Sequence, residues 1–490
     1  MTTDLLRLPQ SNTVWFLLAA CGVCTVAVAT NVGSDVTSVA LCASLSVVLP
    51  GIVIAQRVRL RGVIDPLGLF CFAFILYHAV LLVRVAMVGG AENLNLIYPV
   101  EFPNATFVHA GVVSAISALS IMLTALTVER TPGIGNTGKR QKPAAPAVNS
   151  SALFVSGIAL YSLGILFFYL NASMLGGFIA LFSLERTERY ASFATQVTYP
   201  QTACLMAACV TATYSYLLRR TFFKGFMLVA MVGIWSAILL LQGDRRTLVN
   251  FAISIAGLYA CLTGERIAVS RRLLLTFLTA FVALCFFANV RLLIPRIFSR
   301  NVSISEALAL TQEKSADAQW LLPERTELAG PFLSLLYSVD STDGPLYGRS
   351  YLESVACLLP RFLYPGERPQ TISVAFSERV QDSYMQASKT AQGWGFSPFA
   401  EAYENFSLFG VVAISVMWTL GFSVLSVLPR QFGPGALFFA VLLPQAVNCN
   451  RNDFAAVLLE SIHNSLFLCV ALAISAVFDA SKHSKHKNAV

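Results

Sequence analysis

The sequence predicts an all-α, polytopic membrane bundle, and three observations predict it. Only 12% of the 490 residues are charged, where soluble domains carry about 25%. Mean hydropathy is +0.67. The apolar residues arrive in blocks of about 17–24, close to the length that a helix needs to cross a bilayer. A water-soluble fold could not cover that much apolar surface. In lipid, every backbone polar group must be paired within its own segment, so the blocks are expected to be helices.

Roughly twelve spans are expected by that length criterion. They begin near Thr13, Thr37, Pro66, Phe107, Ser151, Pro200, Gly225, Thr247, Leu273, Phe406, Ala436 and Phe454. The first is read as a span and not as a cleaved signal, because no clear small-residue cleavage site followed by a soluble domain is seen. The whole chain, 1–490, reads as one transmembrane domain, with a large outer loop over 291–403 inside it. Short basic connections set the orientation. Arg57, Arg59 and Arg61, then Arg130, Lys139, Arg140 and Lys142, then Arg219, Arg220 and Lys224, then Arg266, Arg271 and Arg272, then Arg430 all fall on one side if both termini are cytoplasmic. The basic tail, with Lys482, Lys485 and Lys487, falls there too. That is expected to place the large loop on the outer face of the membrane.

The cysteines carry little. Cys21 and Cys24 have CxxC spacing but lie in an apolar block without partner ligands, and Cys357 stands alone in the outer loop, so the loop cannot hold an internal disulfide. The loop is too long to be a bare connector. Within it, Ser303 three residues before Glu306 reads as a capping box. Tyr351 to Leu359 is apolar but too short to span, which suits an interfacial helix. Thr371 to Tyr384 reads as an amphipathic helix. Trp394, Phe396 and Phe399 suit the headgroup zone. The loop is expected to be a lid packed over the bundle.

The outer side is rich in arginine and almost free of lysine. It holds Arg186, Arg189, Arg245, Arg246, Arg291, Arg296, Arg300, Arg325, Arg349, Arg361, Arg368, Arg379 and Arg451, against Lys314 and Lys389. Long outer loops are exempt from the charge rule, but Arg245, Arg246 and Arg451 sit in short turns between spans. Arginine presents a planar fork that grips phosphate with two parallel hydrogen bonds and never loses its charge. An anionic ligand at the outer leaflet is therefore expected.

Four clusters stand out: Gly243-Asp244-Arg245-Arg246; Pro360-Arg361 followed by Pro365, Arg368 and Pro369; Glu401-Ala402-Tyr403-Glu404-Asn405-Phe406; and Arg451-Asn452-Asp453. With Gly348, Ser350 and Tyr351 leading to Pro360-Arg361, and Gly176-Gly177 followed by Arg186 and Arg189, their order resembles the Wzy-type oligosaccharide repeat-unit (O-antigen) polymerases. The resemblance covers roughly the last two-thirds of the chain, by motifs that are each short. One departure is Ser407-Leu408, where the family often continues with glycine directly after Asn-Phe.

The resemblance implies a GT-C-type membrane glycosyltransferase that joins oligosaccharides carried on undecaprenyl pyrophosphate. An acceptor hydroxyl would attack the anomeric carbon next to the pyrophosphate. The lipid pyrophosphate leaves as a stabilised anion, so no metal is obligatory if arginines neutralise it, and no cofactor is called for. Arg245, Arg246, Arg291 and Arg451 are candidates for the pyrophosphate, with Arg349 and Arg361 closing from the loop. Arg186 and Arg189 are further candidates, although Glu185 and Arg189 are spaced to pair on a helix face. Glu401 is the first candidate for a general base, with Asp453 and Asp244 behind it. Glu401 could equally cap a helix or orient an arginine. Tyr403 and Asn405 are candidate sugar contacts. The expected partners are the lipid-linked substrates and the bilayer, with a chain-length regulator allowed and no nucleic acid. Two rivals remain: a ligase or another lipid-linked sugar transferase, and a lipid-linked oligosaccharide flippase. No histidine lies in the outer loop, which favours polymerase over ligase, and no long internal repeat favours a flippase.

Overall fold

The computed structural model describes residues 35–94, 102–131, 149–183, 195–242, 244–263, 303, 305–306, 328–341, 344–358, 369–378, 380, 395–428 and 434–487. Among these residues the structure is helical throughout, without strands. Eight helices are long and apolar enough to cross a membrane. They are α1 (Asp35–Arg61), α2 (Pro66–Val88), α3 (Asn104–Arg130), α4 (Ser150–Met174), α7 (Phe222–Leu241), α8 (Arg245–Thr263), α11 (Pro398–Leu425) and α14 (Phe454–Lys487). Between them lie α5 (Phe178–Ser183), α6 (Thr195–Leu218), α9 (Ala329–Asp340), α10 (Arg349–Ala356), α12 (Gly435–Leu442) and α13 (Gln445–Asn448).

Local chemistry sets several boundaries. Asp65 caps α2 by accepting from the Gly68 amide at 3.0 Å, with Pro66 at the first helical position. Gly89, at φ +81°, ends α2 in the left-handed conformation. Asn149 caps α4, and Thr221 caps α7. The Ser303–Glu306 capping box forms as expected: the Glu306 carboxylate accepts from the Ser303 amide at 2.8 Å, and the Glu306 amide donates to the Ser303 hydroxyl at 3.3 Å. Those bonds hold Glu306 below the usual carboxylate range.

Two expected spans differ in the structure, and those near Thr13 and Leu273 lie outside the described residues. The span near Pro200 is α6, a helix that is not apolar enough to count among the eight, since Thr, Gln, Ser and Tyr recur along it. Its small side chains bury it instead. A Cβ on Gly157 of α4 would meet the Ala208 carbonyl at 3.2 Å, and one on Gly164 would meet Leu205 at 2.6 Å. The glycines let the two backbones approach, as small residues do between membrane helices. The span near Ala436 breaks at Leu443–Pro444 into α12 and α13, because Pro444 has no N–H to continue the ladder.

The stretch expected to be a lid differs as well. Several of its described parts lie in the core, whereas Ser303, Ser305, Glu306, Tyr347, Leu352 and Val355 are exposed. In α9, Phe332, Leu335 and Leu336 are fully buried, and Phe376, Val380, Phe396 and Phe399 belong to the same cluster with α1, α2, α3 and α11. A twelve-residue helix is too short to span, but α9 is too apolar to sit in water. Burial inside the bundle satisfies both facts.

The bounds of α11 enclose a reversal. Phe406 (φ −142°, ψ 19°) and Ser407 (φ 52°, ψ −144°) are not helical. A Cβ on Gly410 would fall 2.2 Å from the Ala402 carbonyl. In a straight helix, eight residues separate such atoms by about 12 Å. The piece from Pro398 to Asn405 therefore folds back beside the piece that follows.

One end of the bundle is polar. There the buried Arg57 lies 3.2 Å from Glu129, and Ser426 donates to Asp65 at 3.0 Å. Lys224 gathers the end of α6 and the start of α4, donating to the hydroxyls of Ser150 at 2.6 Å and Ser215 at 2.9 Å.

Candidate functional site

The site is built on a polar turn inside the bundle. Between α13 and α14 the chain runs Asn448-Cys449-Asn450-Arg451-Asn452-Asp453. Asn448, Asn450 and Asp453 are at most 1% exposed. The Asn450 carbonyl lies 3.2 Å from His78 Nε2, and its amide donates to the Phe70 carbonyl at 3.2 Å. His78 falls in a π-helical turn, Ile75–Ala79, in the middle of α2. Irregular polar backbone at such depth survives only where protein or a cavity satisfies it, and π-turns recur at functional sites.

Arg451 and Arg246 meet at this turn from different elements. The Arg451 guanidinium lies over the Tyr77 ring at 5.9 Å. Arg246, in the first turn of α8, donates through Nε to Asn448 at 3.2 Å and also to Asn452. It pairs with Glu460 of α14, whose other oxygen accepts from Gln445 at 3.1 Å and Asn448 at 3.3 Å. Arg246 is thus fixed at the turn by the side chains of Asn448, Asn452 and Glu460, and Arg451 lies against Tyr77.

The expected Glu-x-Tyr-x-Asn-Phe cluster joins the same turn from α11. Glu401 is fully buried. Its Oε1 accepts from the Ser350 hydroxyl at 2.7 Å, and its Oε2 accepts from the Phe454 amide at 2.8 Å. Phe399, two residues earlier, packs on Phe74 and His78. Glu401 consequently sits at the depth of the middle of α2, and not at the membrane edge where a straight α11 would put it. Asn405 is also fully buried and donates to the Ser350 hydroxyl and the Glu401 carbonyl, both at 2.7 Å.

The reversal at Phe406–Ser407 frees helix carbonyls, and the Gly-x-Ser-Tyr stretch takes them. The Leu346 amide donates to the Glu404 carbonyl at 2.9 Å and the Tyr347 amide to the Asn405 carbonyl at 3.2 Å. The Gly348 amide donates to Asn405 Oδ1 at 2.9 Å. Tyr351 then stacks on Phe406 and meets Phe454 edge-on. Burial, with the Glu401 carboxylate nearby, pushes the Tyr351 phenol above its usual range. Ser407 is held at φ +52°, the region that favours glycine.

All three candidate bases act as helix caps. Asp244 accepts from the Thr247 amide at 3.2 Å and its hydroxyl at 2.7 Å, at the start of α8. Asp453 accepts from the Ala456 amide at 2.9 Å and the Ser373 amide at 3.3 Å. Glu401 shares the α14 N-terminus with Asp453, where negative charge is favoured. Of the alternatives open for Glu401, the geometry is that of the cap.

Two candidates lie away from the turn. Arg349 is exposed and pairs with Glu353 at 2.8 Å. Tyr403 points to the other side of α11, its hydroxyl 3.0 Å from His109 Nε2 of α3. Arg186, Arg189, Arg291 and Arg361 lie outside the described residues, as does the Arg245 side chain. Among the described residues no group of three or more His, Cys, Asp or Glu is placed to hold a metal ion.

No protein-family model, curated protein or solved structure matches the chain.

Sequence reasoning passed over Glu460, Gln445, Asn448, Asn450, Asn452 and His78 as site residues. A signal was present: three asparagines, an arginine and an aspartate within six residues, between apolar stretches. Polar residues that dense at membrane depth mark function by default.

Proposed function

We propose that the chain is a membrane glycosyltransferase that polymerises oligosaccharide repeat units carried on undecaprenyl pyrophosphate, at the periplasmic face of a bacterial inner membrane. One observation carries this reading. Stretches from residues 246, 348–351, 401–405 and 451–453, far apart in sequence, meet around one buried turn that holds two arginines. These are among the stretches on which the resemblance to the repeat-unit polymerases rests.

In this reading Arg451 and Arg246 receive the pyrophosphate of the donor. The acceptor hydroxyl attacks the anomeric carbon, the bond from that carbon to the phosphate oxygen breaks, and undecaprenyl pyrophosphate departs with the electron pair. The departing pyrophosphate takes the hydroxyl proton. The arginines favour the step by meeting the charge that develops on the leaving oxygens. Glu401, Asp453 and Asn405 position the turn and the α14 N-terminus. Glu460, Asn448 and Asn452 hold the Arg246 fork in one orientation.

A second reading, a ligase that moves finished glycan onto another acceptor, draws on a specific observation. Tyr403 of α11 holds His109 of α3 through its hydroxyl, 3.0 Å from Nε2, although no histidine lies in the outer loop. The lipopolysaccharide or capsule profile of a strain lacking the gene separates the readings. Loss of the long ladder with one capped repeat remaining means polymerase. Loss of cap and ladder with lipid-linked polymer outside means ligase, and accumulation on the cytoplasmic side means a flippase.

A further inference from the structure

Helix α10 carries its polarity the wrong way round for a loop helix in water. Ser350, Ser354 and Cys357 form its buried side. With ~3.6 residues per turn, the opposite side holds Leu352 and Val355. These are 73% and 53% exposed, and Tyr347 just before them is 78% exposed. Arg349 and Glu353 pair along one margin. Serines inward, leucine and valine outward and charges at the edge are the order of a helix lying in lipid.

Its depth agrees. From Leu425 the chain of α11 climbs back to Ser407 over roughly 28 Å, at ~1.5 Å per residue. The tip at Phe406 then stands near the far edge of a hydrocarbon layer about 30 Å thick. Tyr351 stacks on Phe406 at 6.5 Å and meets Phe454 edge-on at 5.4 Å. Phe454 in turn lies 6.4 Å from Trp418, about three turns below the tip. Helix α10 is therefore level with the upper part of α11. Phe406, Leu408, Phe409 and Val412 continue the exposed apolar surface from α10 onto that spanning helix.

We propose that α10 is seated in the outer edge of the bilayer, with lipid acyl chains covering Leu352 and Val355, and that this seat holds Ser350 against Glu401 and Asn405. The seat rests on α11 spanning the membrane and not on the glycosyl-transfer reading. Ser350 is the link: its hydroxyl donates to Glu401 and accepts from Asn405. A loop helix that leaves the lipid takes with it one donor of the buried carboxylate and one acceptor of the buried amide.

The test uses the full chain in phosphatidylethanolamine–phosphatidylglycerol vesicles, with benzoylphenylalanine replacing Leu352, Val355, Phe409 or Ser341 in turn. On irradiation, acyl-chain adducts are expected at 352, 355 and 409 and not at 341. Adducts at 409 without adducts at 352 and 355 would overturn the seat and leave α11 in lipid. Failure at 409 as well would overturn it too, by removing the span it continues. A double variant, Leu352→Glu with Val355→Glu, tests the coupling. Amide exchange over 346–354 is expected to quicken about tenfold or more as the local opening energy falls. Unchanged exchange would overturn the coupling.

Discussion

Single side chains divide into those that would hold a ligand and those that hold the turn. Arg451→Ala removes a cation over Tyr77 and leaves the caps of α14 intact. We expect turnover to fall about a hundredfold or more, as for loss of one donor to a developing anion, with the melting temperature nearly unchanged. Normal polymer from this variant would remove Arg451 from the site. Glu401→Gln distinguishes a cap from a base. Glutamine cannot accept from both Ser350 and the Phe454 amide while also donating, so one buried polar group loses its partner. That costs about 1–3 kcal/mol, read as a lower midpoint in chemical or thermal unfolding. A base acting in water would lose activity with no loss of stability. The arginines were legible in the sequence because short turns made their charge out of place. The capping roles of Asp244, Asp453 and Glu401 were not, because a carboxylate before an apolar run reads alike as cap or catalyst until its donors are placed. Glu460 was hidden by a partner 214 residues away.

Elements were legible where length decided. Blocks near Thr37, Pro66, Phe107, Ser151, Gly225, Thr247 and Phe454 became helices that can span. Shorter apolar runs were not legible. Helix α9 and the Pro398–Asn405 piece have the length of a loop helix and the composition of a core, and periodicity cannot choose between those fates. The reversal at Ser407 was visible only as a departure from the polymerase pattern. It supports a prediction at this scale. A non-glycine residue in that sparsely populated region costs of order 1–3 kcal/mol, and glycine returns part of it to chain entropy. Ser407→Gly should therefore raise unfolding stability by about 1 kcal/mol, measured as a shift in denaturation midpoint. Gly410→Ala should do the opposite, since its Cβ would fall on the Ala402 carbonyl, costing about 1–3 kcal/mol from overpacking. A stabilised Gly410→Ala would mean that the chain does not fold back there.

On the scale of the whole molecule, two cores share one bundle. The cluster around α1, α2, α3, α9 and α11 and the cluster around α4, α6, α7, α8, α12 and α14 both pack on Cys261 and Leu442, and Arg246 of the second reaches Asn448, Asn452 and Glu460. The orientation follows from the basic connections and is tested separately. A single cysteine at the exposed Ser341, in a background without reactive thiols, should react with an impermeant maleimide added from outside the cell. Labelling only after lysis would reverse the sidedness of the site. The most direct test of the polymerase assignment is reconstitution. The purified chain in vesicles is supplied with a lipid-linked repeat unit from its own host, and products are resolved on a polyacrylamide gel. The account predicts a ladder of lipid-linked oligomers with release of undecaprenyl pyrophosphate, absent with Arg451→Ala and with Arg246→Ala. A folded wild-type protein that leaves the single repeat unit unextended would contradict it.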